Sequence, residues 1–120
     1  MLVGQFGEIY PPYLDGVGQV MLAYCRHLPA LGCRSVYVAP DNPACRDDFG
    51  CEMMLYPSAP LGPLSYRFGF PMLSPAFRRK ISGAPFDLVH VHAPFLAGQA
   101  ARRIARRRHI PLVATFHSKY

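Results

Sequence analysis

Short runs of β-branched and aromatic residues alternate along the chain with segments whose apolar positions recur at helical spacing. LVGQF at 2 to 6, SVYVA at 35 to 39, DLVHVH at 87 to 92 and PLVATF at 111 to 116 read as strands. The consecutive apolar residues of LVHV and PLVAT predict burial on both faces, as in a parallel sheet covered by helices. Val17, Val20, Met21, Tyr24, Leu28 and Leu31 follow the i, i+3, i+4, i+7 rhythm and predict a helix from about Val17 to Leu31, closed by Gly32. Pro29 has no backbone N–H to give that helix, so a kink or an early end is expected near Leu28. A second helix is predicted from Phe95 to Arg107. Ala97, Ala100, Ala101, Ile104 and Ala105 form its apolar face, Gln99, Arg102, Arg103, Arg106 and Arg107 its polar one, and Arg108 falls on the apolar side. Strands alternating with helices predict an α/β fold, a parallel sheet with crossover helices.

Residues 40 to 75 interrupt this regularity with seven prolines, and only MMLY within them reads as a strand. Ser74 followed by Pro75 predicts an N-cap and first helical position for a short helix near 75 to 81. The 120 residues, 51% hydrophobic and 17% charged, suit one globular domain with a real core. The N-terminal MLVGQFGEIY has no basic region of a secretory signal, and no apolar run is long enough to span a bilayer. A cytosolic protein with reduced thiols is therefore expected. The cysteines at 25, 33, 45 and 51 match no zinc spacing, and Cys45 with Cys51 could close a small loop only under oxidising conditions.

Positive charge is concentrated in two places. The net +6 comes mostly from Arg78-Arg79-Lys80 and from the five arginines at 102, 103, 106, 107 and 108. Clusters of this kind suit an anionic membrane, nucleic acid or a phosphorylated substrate, and equally a solvated surface. For nucleic acid the chain offers no recognisable binding motif and no aromatic stacking platform beside the clusters, so none is expected as a partner.

Two constellations carry candidate chemistry. PPYLDGVGQV joins the first strand to the first helix, where glycines let backbone approach a ligand and the helix start offers free N–H groups to phosphate. It is neither a complete G-x-G-x-x-G fingerprint nor a P-loop, and a plain chain reversal would use the same residues. The second constellation is His90 and His92, which share a face of their strand, with His117 beyond the last strand. If those two strands are parallel neighbours, His92 and His117 meet at the sheet edge where the glycine loop also opens. Three imidazoles could instead hold zinc, although no carboxylate stands nearby to orient them. Packing is the expected role of His90, packing or substrate contact that of His92, and substrate contact that of His117.

The order PPYLDGVG, a helix ending LPALG, VYVAP, FDLVHVHAPF and PLVATFHSKY resembles the amino-terminal domain of family 4 retaining glycosyltransferases. The resemblance covers nearly the whole chain. It is similar in its last two motifs to members that glycosylate lipids and polyols. It implies a Rossmann-like parallel sheet with flanking helices, the N-terminal half of a GT-B fold. It also implies transfer of a sugar from a nucleotide-sugar donor, with no cofactor and no metal. By resemblance a glycine of the first loop, Gly16 or Gly18, lies against the donor diphosphate, and His117 contacts the acceptor and the reacting sugar as the catalytic group; Val17 is expected on the donor side with them, and Tyr13 and His92 on the acceptor side. Arg102, Arg103, Arg106 and Arg107 suit peripheral contact with an anionic membrane, or a solvated outer face.

Two departures from the family pattern qualify these expectations. Asp15 stands where relatives usually carry the first of two glycines, and a carboxylate there repels a diphosphate. The sequence stops at Tyr120, so residues 1 to 120 are expected to be the acceptor-side domain without the donor-binding domain, and inactive alone.

Overall fold

The computed structural model describes residues 1–8, 16–41, 50–60, 67–93 and 95–115. Tyr13, Asp15, Cys45 and His117 lie outside them. The described chain runs through strand β1 (Leu2–Phe6), helix α1 (Gly16–His27), β2 (Arg34–Pro40) and β3 (Glu52–Tyr56). A short pair, β4 (Ser58–Pro60) and β5 (Arg67–Gly69), is followed by α2 (Pro75–Gly83), β6 (Leu88–Val91), α3 (Leu96–Arg108) and β7 (Leu112–Ala114). Five strands form one sheet in the order β3-β2-β1-β6-β7, every neighbouring pair parallel. The chain builds outward from β1 to β3 and then returns to the other side of β1. The order therefore reverses between β1 and β6, and the helices that follow them, α1 and α3, pack on opposite faces of the sheet, which makes this the switch point. The Rossmann-like α/β expectation is met.

One sheet face is apolar. Leu2, Phe6, Val36, Val38, Tyr56, Val89 and Val91 meet Phe77 and Ile81 of α2 and the alanine face of α3. The buried residues of α3 are Ala97, Ala100, Ala101, Ile104 and Ala105, the set that the periodicity predicts. Small side chains let this helix lie close to the sheet. Ser74 caps α2 as expected, its hydroxyl accepting from the Phe77 N–H at 3.1 Å. Arg108 does not join the apolar face: its guanidinium donates to the carbonyls of Ile81, Ser82 and Ala84 at the end of α2.

The other face is covered by α1. Gly18, Met21, Leu22 and Cys25 are its buried residues, one step round from the predicted stripe. Tyr24 and Leu31, expected inside, are 37% and 78% exposed. The helix stops at His27, and Leu28–Leu31 form a 3-10 turn ending on Gly32 at φ 81°. Pro29 explains the change, since it cannot donate the hydrogen bond that another α-helical turn needs. The helix is held close by Gly7, where an added Cβ would stand 2.2 Å from the Met21 sulfur.

A second correction concerns β7. Burial on both faces is expected for PLVAT, yet Leu112 and Val113 are 39% and 44% exposed because this strand is the edge of the described sheet.

Candidate functional site

The carboxyl ends of β1, β6 and β7 share one edge of the sheet, and ladder bonds continue beyond the strands. The His92 N–H donates to the Phe6 carbonyl at 3.0 Å, and the Thr115 N–H to that of Val91 at 3.0 Å. Because β6 and β7 are parallel, His90, His92 and Thr115 present side chains to the α1 face. The two imidazoles lie with centroids 4.0 Å apart, and the Tyr24 ring meets them at 5.2 Å and 5.8 Å.

These polar groups are buried and paired. His92 is 1% exposed, with Nε2 2.7 Å from the Gln5 Oε1, and Gln5 Nε2 donates to the Ser35 hydroxyl at 3.2 Å. His90 Nε2 lies 2.7 Å from the Thr115 hydroxyl. Polar side chains so deep in a sheet are tolerated because they satisfy one another. A chain of bonds thus crosses β2, β1 and β6 beneath the switch point.

Helix starts supply the other polarity. All three helices run antiparallel to the strands, so their positive ends face this edge. Ser74 fills that of α2. Glu8, at the end of β1, fills that of α3: its carboxylate accepts from the Ala97 N–H at 2.7 Å and, at 3.4 Å, from the Tyr56 hydroxyl. Burial pushes the Glu8 carboxyl above its ordinary value, opposed by those two bonds. Tyr56 donates chiefly to the Gly7 carbonyl at 2.9 Å, and burial drives its phenol far upward. The first turn of α1 contains no acidic residue, and a Cβ added at Gly16 would meet nothing within 4 Å. An anion approaching this edge finds no acidic side chain in the first turn of α1 and a carboxylate already seated at α3.

A family model, Glycosyltransferase Family 4, matches residues 14–120. The chain belongs to glycosyltransferase family 4. It is 29% identical over 123 residues to the alpha-monoglucosyldiacylglycerol synthase of Acholeplasma laidlawii, a match that covers 100% of this chain. It is 28% identical over 118 residues to a GDP-mannose-dependent alpha-mannosyltransferase of Mycobacterium tuberculosis (strain CDC 1551 / Oshkosh), covering 92% of the chain. The chain spans 30% of the length of each of these curated relatives.

Within this family 4 chain the expected site residues fall as follows. Gly16, Val17 and Gly18 form the opening turn of α1, with Gly18 buried and Gly16 exposed. His92 stands at the end of β6, buried against Gln5, and His90 is a packed residue as expected. Tyr13, His117 and the carboxylate of Asp15 lie outside the described residues, so the pairing of His92 with His117 does too. Among the described residues no group of three His, Cys, Asp or Glu can hold a metal. The alternative zinc site needs His117 and falls outside them in the same way.

Sequence reasoning missed Gln5, Ser35, Thr115 and Glu8. The signal was present but slight: Gln5, Ser35 and Thr115 are lone polar residues in or beside apolar strand runs. A polar residue at a doubly covered strand position must find a partner across the sheet. Cys51 is buried beside Cys25 in the cluster under α1, and Cys25 is held up to about 12 by burial, with a hydrogen bond from Ser35 opposing.

On the α3 side, a cavity of about 300 Å³ runs along β7 from Leu112 to Thr115, bounded by Ala93, Gly98 and Arg102. A wider hollow of about 590 Å³ lies among Arg102, Arg103, Arg106, Arg107, Gln99 and Met72. All four arginines are exposed, and none has an acidic partner among the described residues. No described helix is long and apolar enough to cross a membrane.

Proposed function

We propose that this family 4 chain is the acceptor-side half of a retaining, metal-independent hexosyltransferase. It acts with a donor-binding domain to move a sugar from a nucleotide-sugar to a hydroxyl of a lipid or polyol. The observation that carries the reading is the meeting at one sheet edge of the α1 start, which has no acidic residue in its first turn, and the β6 end that bears His92. In parallel α/β sheets, ligands bind outside the carboxyl ends of the strands at the switch point.

In this reading the Gly16 to Gly18 turn faces the donor diphosphate. Helix N–H groups stabilise the charge that grows on the leaving group as the bond to the anomeric carbon breaks. Such a field substitutes for a divalent cation. The acceptor hydroxyl forms the new bond to that carbon, with His92 and Tyr13 on the acceptor side and His117 beside the reacting sugar. The four arginines of α3 bring the chain to an anionic membrane face, as a peripheral cytoplasmic protein whose acceptor is a lipid requires. The relatives' names, diacylglycerol in one and GDP-mannose in the other, indicate which acceptor and donor to test first.

The test is the coding sequence downstream of the Tyr120 codon, followed by assay of the protein it encodes. An in-frame second α/β domain with paired glutamates, and labelled sugar passing from GDP-mannose or another nucleotide-sugar to diacylglycerol or a polyol, support the reading. A second domain of unrelated fold, or transfer that requires a divalent metal, refutes it.

A further inference from the structure

We propose that Gln5 is a positioning residue that fixes His92 as its Nε2–H tautomer and makes Nδ1 the basic nitrogen of that ring. This rests on the sugar-transfer reading, in which His92 serves the acceptor side.

Gln5 bridges Ser35 and His92 within the buried chain of hydrogen bonds. The Gln5 amide nitrogen donates to the Ser35 hydroxyl oxygen at 3.2 Å. With its NH₂ committed to β2, Gln5 turns its carbonyl oxygen to β6, where His92 Nε2 stands at 2.7 Å. An amide oxygen only accepts, so Nε2 must carry the proton. In the neutral ring the other nitrogen then holds the lone pair, and which nitrogen is protonated decides what an imidazole can do.

The location gives this bond its consequence. Gln5 belongs to β1 and His92 closes β6, so their bond spans the switch point at which the sheet opens. Ser35 is 3% exposed and Gln5 1%, so both lie away from bulk solvent. A ring held in this way keeps one tautomer without reorganising.

The experiment is long-range proton–nitrogen correlation spectroscopy on the uniformly ¹⁵N-labelled 120-residue chain at pH 8. In the wild type the His92 Nε2–H form should exceed the Nδ1–H form by about tenfold, the ratio that one net hydrogen bond supports. Ser35→Ala, which frees the Gln5 amide to turn, should bring the two forms to comparable populations. Gln5→Glu keeps an acceptor at Nε2, so the tautomer should persist while the His92 pKa rises. A packing role alone predicts none of these shifts. If His92 is Nδ1–H in the wild type, or if its tautomer ignores both variants, the proposal fails. Should Ser35→Ala not fold, Gln5→Glu and the wild-type ratio decide. The readout involves no sugar transfer, so an inactive enzyme with the expected tautomer counts against the sugar-transfer reading alone.

Discussion

The Glu8 carboxylate accepts the Ala97 N–H at 2.7 Å, so the end of β1 closes the first turn of α3 across the switch point. Burial raises the Glu8 pKa, and the bonds from Ala97 and Tyr56 only partly offset it. The native state therefore binds this proton more tightly than the unfolded chain does. Its stability contribution is greatest below the ordinary glutamate value near 4.5 and is lost as pH rises through the elevated native value. Glu8→Gln keeps an oxygen for Ala97 and removes the titration. Urea unfolding from pH 4.5 upward should show the variant gaining on wild type as pH increases; a constant difference would mean that burial of the charge costs nothing.

Gly98 tests how closely α3 approaches the same edge. Inside a helix, glycine to alanine ordinarily adds about 1 kcal/mol of stability. Here an added Cβ would stand 2.7 Å from the Ala93 carbonyl oxygen and 3.3 Å from Val91 Cγ1. The first is a backbone atom and cannot turn aside, so overpacking of roughly 1–3 kcal/mol outweighs the propensity gain. Thermal unfolding of Gly98→Ala should show a lower Tm, and a higher one would mean that α3 sits further out.

The thiols should separate by burial. Cys25 is buried and held up to about 12, whereas Cys33 is half-buried. The thiolate is the reactive form, so at pH 8 iodoacetamide should modify Cys33 well before Cys25. Peptide mapping over time checks this, with modification of Cys25 expected only as denaturant is added. Labelling of Cys25 at the rate of Cys33 in the native protein would show that α1 opens readily.

These contacts mark what the chain's pattern reveals and what it hides. The α3 face was legible because alanine and arginine contrast sharply, and β6 because LVHV is an unbroken run. The α1 stripe came out one step rotated, since Tyr24 counts as apolar by composition. In the structure its ring packs on two imidazoles at the margin, while Gly18 and Cys25 take the interior. Exposure of β7 follows from its place at the edge of the described sheet, which local sequence does not encode. Gln5, Glu8 and Ser35 were overlooked for the same reason: each finds its partner on an element far along the chain, 87 residues away for Gln5 and His92 and 89 for Glu8 and Ala97. Spacing arguments work within a helix or strand, whereas these bonds depend on the order of strands in the sheet.

The arginines of α3 divide into two roles that one experiment separates. Arg108 is committed to the carbonyls that end α2, whereas Arg102, Arg103, Arg106 and Arg107 are exposed around an open hollow. Each basic residue at an anionic surface contributes on the order of 1 kcal/mol, so replacing all four with glutamine should weaken vesicle binding by roughly two to three decades at low salt. Flotation with phosphatidylserine-containing and neutral vesicles reads this directly. The quadruple variant should remain folded, because these side chains lie outside the core. Arg108→Gln should do the reverse, lowering Tm while leaving lipid binding near that of wild type. Vesicle binding that ignores lipid charge, or that survives loss of the four arginines, would identify this face as solvated surface.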